Sequence, residues 1–265
     1  MKYFYLLFLT VLSMSGLDVK AQSTHQQMID CILEFGLKEL GKPYMGGTLD
    51  DGCAEELVCT NEKYDCVTFV EYVFAQARLN VYGKTSETLQ SQLTKLRYKD
   101  GVIAGYGSRL HYFRSWILQA EKNGYVKDIT YKIGGQKLQK TINFITTNKD
   151  KYLKMSGCTG ADLKINLVKL TAMEKSLSES TYYEISKYEV AAAMTKIKPG
   201  DIIAFATQLA GLDVVHTGFA VNVGGKIHLL HASSQEKKVV VSDLPLDLYL
   251  TGNKSQSGII VVRPK

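Results

Sequence analysis

The chain has 265 residues, of which 45% are hydrophobic and 22% charged, and its formal net charge is +6. That length suits one large domain, or a domain with an insertion. The basic residues are spread along the chain, so the charge argues against nucleic acid as a partner and at most favours an acidic one. Beyond the N-terminus, no apolar run approaches the length of a membrane span, so none is predicted.

The first residues have the pattern of a signal peptide. Met1 and Lys2 precede an apolar run from Tyr3 to Leu12, and Val19-Lys20-Ala21 places small residues before a cleavage point. We expect residues 1–21 to be removed and an exported protein to begin at Gln22, with residues 22–265 forming a single domain. A buried first helix is the alternative.

The five cysteines are an odd number, which leaves at least one thiol free or intermolecular in an exported protein. Cys53 and Cys59 lie in one Gly- and Glu-rich loop and could close a small ring. No histidine lies near the cysteines at a zinc-site spacing, and there is no nucleotide-binding loop, so the sequence predicts no metal and no cofactor.

The hydrophobic pattern predicts helices first and strands last. Helical spacing covers residues 24–40, 66–79, 86–96 (with Ser86 as cap), 113–122 and 187–196. A mixed pattern over 125–185 includes a possible hairpin at 131–138. Short strands follow at residues 202–206, 214–221, 226–231, 239–242 and 258–262. This order predicts an α+β fold in which N-terminal helices pack on a C-terminal antiparallel sheet.

Cys66 is the candidate nucleophile. Asp65 is a favoured N-cap residue, so Cys66 would begin the helix with its sulfur at the positive end of the helix dipole. That position is expected to lower the pKa of the thiol and favour the reactive thiolate. The alternative is that Cys66 is a small buried hydrophobic residue.

Two histidines are predicted to share one face of a hairpin. Gly224-Gly225 is a strong turn signal, and a two-residue turn there pairs Val223 with Lys226. Strand alternation then makes His216 and His231 diagonal neighbours, close enough for their side chains to interact. His228 falls on the other face, where it is structural or exposed.

This arrangement suits nucleophilic catalysis on an amide. His216 would take the thiol proton and later protonate the leaving amine, and His231 would orient His216. Small residues beside His216, Gly218 and Ala220, would leave room for the end of the helix to approach. The Tyr44 hydroxyl could help the backbone N–H of Cys66 to hold an oxyanion. The alternative is a pair of ordinary exposed sheet histidines.

Taken in order, these segments resemble the NlpC-type cell-wall peptidases of the papain-like superfamily. The matching segments are Gly41 to Tyr44, Asp65-Cys66, Pro199-Gly200-Asp201, His216-Thr217-Gly218 and His231. The resemblance implies a papain-like core with Cys66 as nucleophile, His216 as base, His231 as orienting residue and Tyr44 at the oxyanion.

A narrower resemblance is to the N-acetylmuramoyl-L-alanine amidase-like group of Gram-negative bacteria. It depends on the Asp-Cys-x-Thr-Phe-Val-Glu form at residues 65–71, the segment 108–113 and the closing Val262-Arg263-Pro264. It implies a periplasmic catalytic domain that cleaves the bond between the muramyl lactyl carbonyl and L-alanine in short peptidoglycan fragments. Val67-Thr68 after the cysteine and an insertion at about 84–195 depart from the usual NlpC pattern.

Other functions remain open. The same machinery could cut L-Ala-D-Glu or D-Glu-diaminopimelate bonds, and a buried cysteine would fit a non-enzymatic wall-binding module. A permuted acyltransferase is disfavoured because the cysteine precedes both histidines. Oligomeric state is open.

Three residues are predicted to contact the substrate. Arg109, in a Gly-rich loop beside aromatic residues, could hold a stem-peptide carboxylate in a bidentate pair. His111 follows it closely, and Asp65 lies beside the nucleophile. The alternative for Arg109 and His111 is a surface loop that packs against the next helix.

Overall fold

Helices and strands alternate along the chain more closely than the sequence pattern indicates. The computed structural model describes residues 23–50, 55–155 and 158–265; the predicted signal peptide and Cys53 lie outside them. The helices are α1 (23–38), α2 (Cys66–Tyr82), α3 (Leu89–Arg97), α4 (Phe113–Lys122), α5 (Phe144–Thr147), α6 (Lys149–Met155), α7 (Gly160–Glu179), α8 (Val190–Ala193) and α9 (Leu246–Gly252). The strands are β1 (Val126–Asp128), β2 (Gln136–Leu138), β3 (Tyr182–Ser186), β4 (Ile202–Thr207), β5 (Val214–Val223), β6 (Lys226–Ser233), β7 (Lys238–Val241) and β8 (Gln256–Pro264).

All eight described strands join one antiparallel sheet. Its order is β2-β3-β8-β4-β5-β6-β7, and β1 pairs with the same edge of β8 as β3. The C-terminal strand therefore lies in the middle of the sheet. This architecture confirms the predicted mixed fold with an antiparallel sheet.

Both faces of the sheet are covered, so β4 is buried along its whole length. Ile202, Ala204 and Ala206 face a core formed with α1 to α4. Ile203 and Phe205 face a second core formed with α8 and α9. The two cores meet the two sides of each central strand, which is why α2 and α9 lie on opposite faces of the sheet.

The predicted hairpin register is confirmed. Val223 pairs with Lys226 and Ala220 with Leu229. Gly224 and Gly225 have φ values of 57° and 84°, the left-handed conformations that a two-residue hairpin turn requires.

Helix α2 begins where the sequence predicts. Asp65 caps it: Oδ1 accepts a hydrogen bond from the Thr68 N–H at 2.7 Å, and the Thr68 hydroxyl accepts one from the Asp65 N–H at 2.9 Å. The helix packs through Phe69, whose ring lies edge-on to Phe219 of β5 at 6.0 Å. This reciprocal cap fixes the orientation of the first turn, which carries Cys66.

The region between α2 and β4 holds most of the corrections. Helix α4 has the predicted bounds, but α3 is capped by Thr88 rather than Ser86. The predicted hairpin at 131–138 is wrong, because β2 pairs with β3 and a 3₁₀ turn occupies Tyr131–Ile133. The helix predicted at 187–196 is only the short α8 and a following 3₁₀ turn.

Helix α7, at 20 residues, is the longest helix that the structure bounds by name, and a smaller apolar core lies beneath it. Cys158, just before it, is disulfide-bonded. Cys59 is free, so the ring that the sequence allowed between Cys53 and Cys59 does not form. None of the helices in the described part of the chain has the length and hydropathy of a membrane span.

Candidate active site

Backbone pairing brings Tyr44 beside the start of α2. Tyr44 forms a parallel bridge with Tyr64, and the Met45 N–H donates to the Tyr64 carbonyl at 2.8 Å. On its other side the Tyr44 N–H donates to the Lys237 carbonyl at 2.8 Å, at the edge of the sheet. Burial, and then the nearby Cys66 and Asp65, raise the pKa of the half-buried Tyr44. Its phenol therefore remains a hydrogen-bond donor at neutral pH.

The sulfur of Cys66 lies in a nest of backbone N–H groups. It accepts hydrogen bonds from the N–H groups of Thr217, Cys66 and Val67. The Thr217 contact matters most for the geometry, because Thr217 directly follows His216 in β5. It joins the first turn of α2 to the histidine strand.

The expectation that the helix end lowers the pKa of Cys66 is wrong in direction. Burial, and after it the Asp65 carboxylate, raise that pKa to about 12, and the three N–H donors oppose them only in part. The same residue that caps the helix thus disfavours the thiolate. In the substrate-free protein Cys66 is a neutral thiol.

The two predicted histidines form a direct pair. His216 Nε2 lies 2.7 Å from His231 Nδ1, and the rings are nearly perpendicular, with centroids 4.8 Å apart. Burial lowers the pKa of His216 to about 3, with His231 as the second cause, and burial lowers that of His231 to about 4. Both rings are therefore neutral at pH 7.

The hydrogen bond limits which nitrogen can act. If His216 Nε2 carries the shared proton and donates it to His231 Nδ1, then His216 Nδ1 is left as a free acceptor. The described residues show no direct hydrogen bond between the Cys66 sulfur and this imidazole. Contacts of this kind commonly tighten only when substrate binds.

Gly218 has a different role from the one predicted. Helix α2 lies against the Phe219 face of β5, not the face that carries Gly218 and Ala220. A Cβ at Gly218 would lie 2.7 Å from the Leu230 carbonyl oxygen and 2.8 Å from the His231 Cβ. The small residue leaves room for His231 and its strand, not for the helix.

Tyr249 of α9 completes the cluster and was not predicted. Its ring centroid lies 5.4 Å from that of His231 and 6.5 Å from that of His216. Burial, and then Cys66, raise its pKa to about 12, so it too is a neutral phenol. The only sequence signal is a short segment in which Leu246 and Leu250 are buried four residues apart, and this does not distinguish one tyrosine among sixteen.

His228 lies on the opposite face of β6, as predicted, and is structural. It is buried, with Nδ1 2.7 Å from the Ser242 carbonyl oxygen.

The predicted substrate contacts lie in a separate network. Arg109 is buried and bonds Asp50 at 2.6 Å and the Leu49 carbonyl, with Glu55 at 3.7 Å. His111 Nε2 lies 2.7 Å from the Tyr106 carbonyl oxygen, and burial, then Arg109, lower its pKa to about 3.

The Asp65 carboxylate is occupied by its cap and by the Thr48 hydroxyl at 3.2 Å. Each of the three predicted contact residues already has partners within the chain, and their contact with substrate stays a prediction. The described residues contain no group of three or more His, Cys, Asp or Glu side chains that could hold a metal ion.

A thiol, two coupled imidazoles and two protonated phenols at the junction of a helix end and a sheet define a cysteine–histidine site on an α+β scaffold. The chain belongs to the AmiA-like, N-acetylmuramoyl-L-alanine amidase-like family, whose sequence profile matches residues 34–259. No curated protein matches the chain.

Solved structures agree with the family. The crystal structure of an N-acetylmuramoyl-L-alanine amidase from Bacteroides uniformis is 37% identical, with a TM-score of 0.82 over 90% of this chain and 99% of that one. A Bacteroides fragilis structure named as a candidate xylanase is 34% identical, with a TM-score of 0.74 over 87% and 99%. The Legionella pneumophila protein LPG0564, 23% identical with a TM-score of 0.71 over 94% and 96%, shares the fold.

Proposed function

We propose that this protein is a cysteine-dependent amidase that cleaves the bond between the N-acetylmuramoyl lactyl carbonyl and L-alanine in short peptidoglycan fragments. The observation that carries the proposal is the 2.7 Å pair of His216 Nε2 and His231 Nδ1, one residue along the strand from the N–H that holds the Cys66 sulfur. Membership of the amidase-like family supports the substrate.

The first step is attack of the Cys66 sulfur on the lactyl carbonyl carbon. His216 Nδ1 takes the thiol proton, and the imidazolium is stabilised because its Nε2–H donates to His231 Nδ1. Because the thiol and the imidazole are both neutral before substrate binds, proton transfer accompanies the attack rather than preceding it. The negative charge passes to the carbonyl oxygen, where Tyr44 and the Cys66 N–H would donate to it.

The second step completes the hydrolysis. His216 Nδ1–H protonates the leaving amine of L-alanine, which releases the peptide and leaves a lactyl thioester on Cys66. Water, deprotonated by His216, then attacks the thioester, and the thiol regains its proton. His231 remains neutral and holds His216 in the required tautomer throughout.

The fold and location follow from the same reading. We propose that the helices and sheet form a papain-like core, and that residues 1–21 direct export to the periplasm, where such fragments occur. Both belong to the proposal with the chemistry.

Mass spectrometry of N-acetylmuramoyl-L-alanyl-D-glutamyl-diaminopimelate tests the activity. The mature protein should release the intact tripeptide, and Cys66→Ala should not. Cys59→Ala, which removes another free cysteine, is the matched control and should retain activity. A split within the peptide would replace the amidase by an endopeptidase, and an active Cys66→Ala protein would refute the nucleophile.

A further inference from the structure

A cavity of about 160 Å³ lies beside His216, on the side of α9. Tyr249 forms one wall, and the remaining polar lining comes from the ends of β6 and α9 and the start of β8: Ser233, Ser234, Gln235, Asn253, Ser255 and Gln256. These side chains are hydroxyls and amides without formal charge. The cavity is large enough for one ring-sized group, not for a chain.

The charged groups of the site lie on its other side. Asp65 is next to Cys66, and Arg109 with Asp50 and Glu55 forms the network connected to it through the Thr48 loop. A carboxylate placed in the cavity beside His216 would find no cation in its lining. Neutral hydroxyl and acetamido groups would find both donors and acceptors there.

Gln256 gives the cavity an unmet requirement. The side chain is 2% exposed, and its Oε1 has no hydrogen-bond partner in the protein. A buried amide oxygen without a donor is unfavourable, so such atoms call for an explanation by a ligand or water. The strand register shifts at this point, between Ala206 and Thr207 of the neighbouring β4. Irregularities of this kind re-aim side chains and are common next to active sites.

We propose that this cavity binds the N-acetylated sugar of the substrate and that Gln256 is a specificity-determining residue, its amide hydrogen-bonding a hydroxyl or acetamido group of the ring. This inference rests on the proposed amidase function. It assigns the sugar to the α9 side of the histidine pair and explains why the site would prefer a muramoyl amide to other amides of L-alanine.

Two substrates with the same scissile amide separate the sugar from the bond. One is N-acetylmuramoyl-L-Ala-D-Glu-diaminopimelate, and the other is D-lactoyl-L-Ala-D-Glu-diaminopimelate, which lacks the sugar. Gln256→Met keeps the length of the buried side chain and removes its hydrogen bonds. We expect kcat/KM to fall about tenfold or more on the first substrate and to stay unchanged on the second.

Ser115→Ala is the matched control, because Ser115 is another buried side chain with an unpartnered oxygen, on α4 and outside this cavity. It should leave the ratio of the two kcat/KM values as in wild type. Equal losses on both substrates for Gln256→Met, or no loss on either, would overturn the sugar assignment.

A binding measurement keeps the inference separate from the proposed function. If the wild type releases the tripeptide from neither substrate, the amidase proposal fails, and N-acetylmuramic acid is then titrated into Cys66→Ala by NMR. Binding that weakens about tenfold with the added Gln256→Met supports the sugar cavity. Absence of binding, or binding indifferent to Gln256→Met, refutes it.

Discussion

Replacing Gly218 by alanine should uncouple the histidine pair while adding only one methyl group. The new Cβ would lie 2.7 Å from the Leu230 carbonyl oxygen, 2.8 Å from the His231 Cβ and 2.9 Å from the Leu229 Cδ1. Two of these atoms belong to the backbone or its first side-chain atom and cannot rotate away. Strand β6 must therefore shift, and His231 shifts with it relative to His216.

The size of the effect follows from this overlap. Overpacking of this kind costs about 1–3 kcal/mol in the free energy of unfolding. For a chain of this length that lowers Tm by roughly 2–12 °C. A displacement of the order of 1 Å in a catalytic group lowers kcat by about 10²-fold, so the loss of activity should far exceed the loss of folded protein at 25 °C.

Thermal unfolding and kcat on the muramoyl tripeptide are the two measurements. Gly252→Ala is the control for stability, since a Cβ there meets no atom within 4 Å. A Gly218→Ala protein with wild-type Tm and kcat within threefold of wild type would refute the argument that Gly218 makes room for the His216–His231 pair.

Three further predictions follow from burial and charge. His231→Gln should lower kcat by about 10²-fold with little change in KM, since it removes the ring that orients His216; a loss confined to KM would contradict this. Because protonated His216 cannot accept the thiol proton and its pKa lies near 3, kcat/KM of the folded protein should stay level from pH 7 to about 5; an acid limb near 6.5 would refute the lowered pKa. Alkylation of Cys66 by iodoacetamide, followed by peptide mass spectrometry, should be slow at pH 7 and rise about tenfold per pH unit; fast labelling at pH 6 would show a thiolate instead. Arg97→Met should destabilise the protein by about 3–5 kcal/mol in urea unfolding, because it strands the buried Glu71 carboxylate now bonded at 2.7 Å. The double variant Glu71→Leu/Arg97→Met should recover most of that loss, and additive losses would contradict the pairing.

The hairpin shows how much of the site local sequence can specify. Gly224-Gly225 permits the turn, the turn sets the register, and the register alone brings His216 and His231 to one face. The start of α2 was equally predictable, because Asp65 and Thr68 form the cap within four residues. In each case the interactions that decide the outcome lie within one turn or one strand pair.

The failures share the opposite property. The pattern before β4 was ambiguous because β1 and β3 pair with β8, whose residues lie more than 70 positions further along the chain. Tyr249 reaches the histidines only because α9 packs on the second face of the sheet. No short sequence window contains either relationship.

The sequence alone determined where the helix and hairpin begin, which residue types meet there, and the family resemblance that they carry. The tertiary structure decided the protonation of these groups and their surroundings. The dipole of α2 favours a Cys66 thiolate, but burial and Asp65 outweigh it, and burial likewise keeps His216 and His231 neutral. A pKa depends on how much water the whole fold removes from a group, and that quantity is not written in the residues beside it.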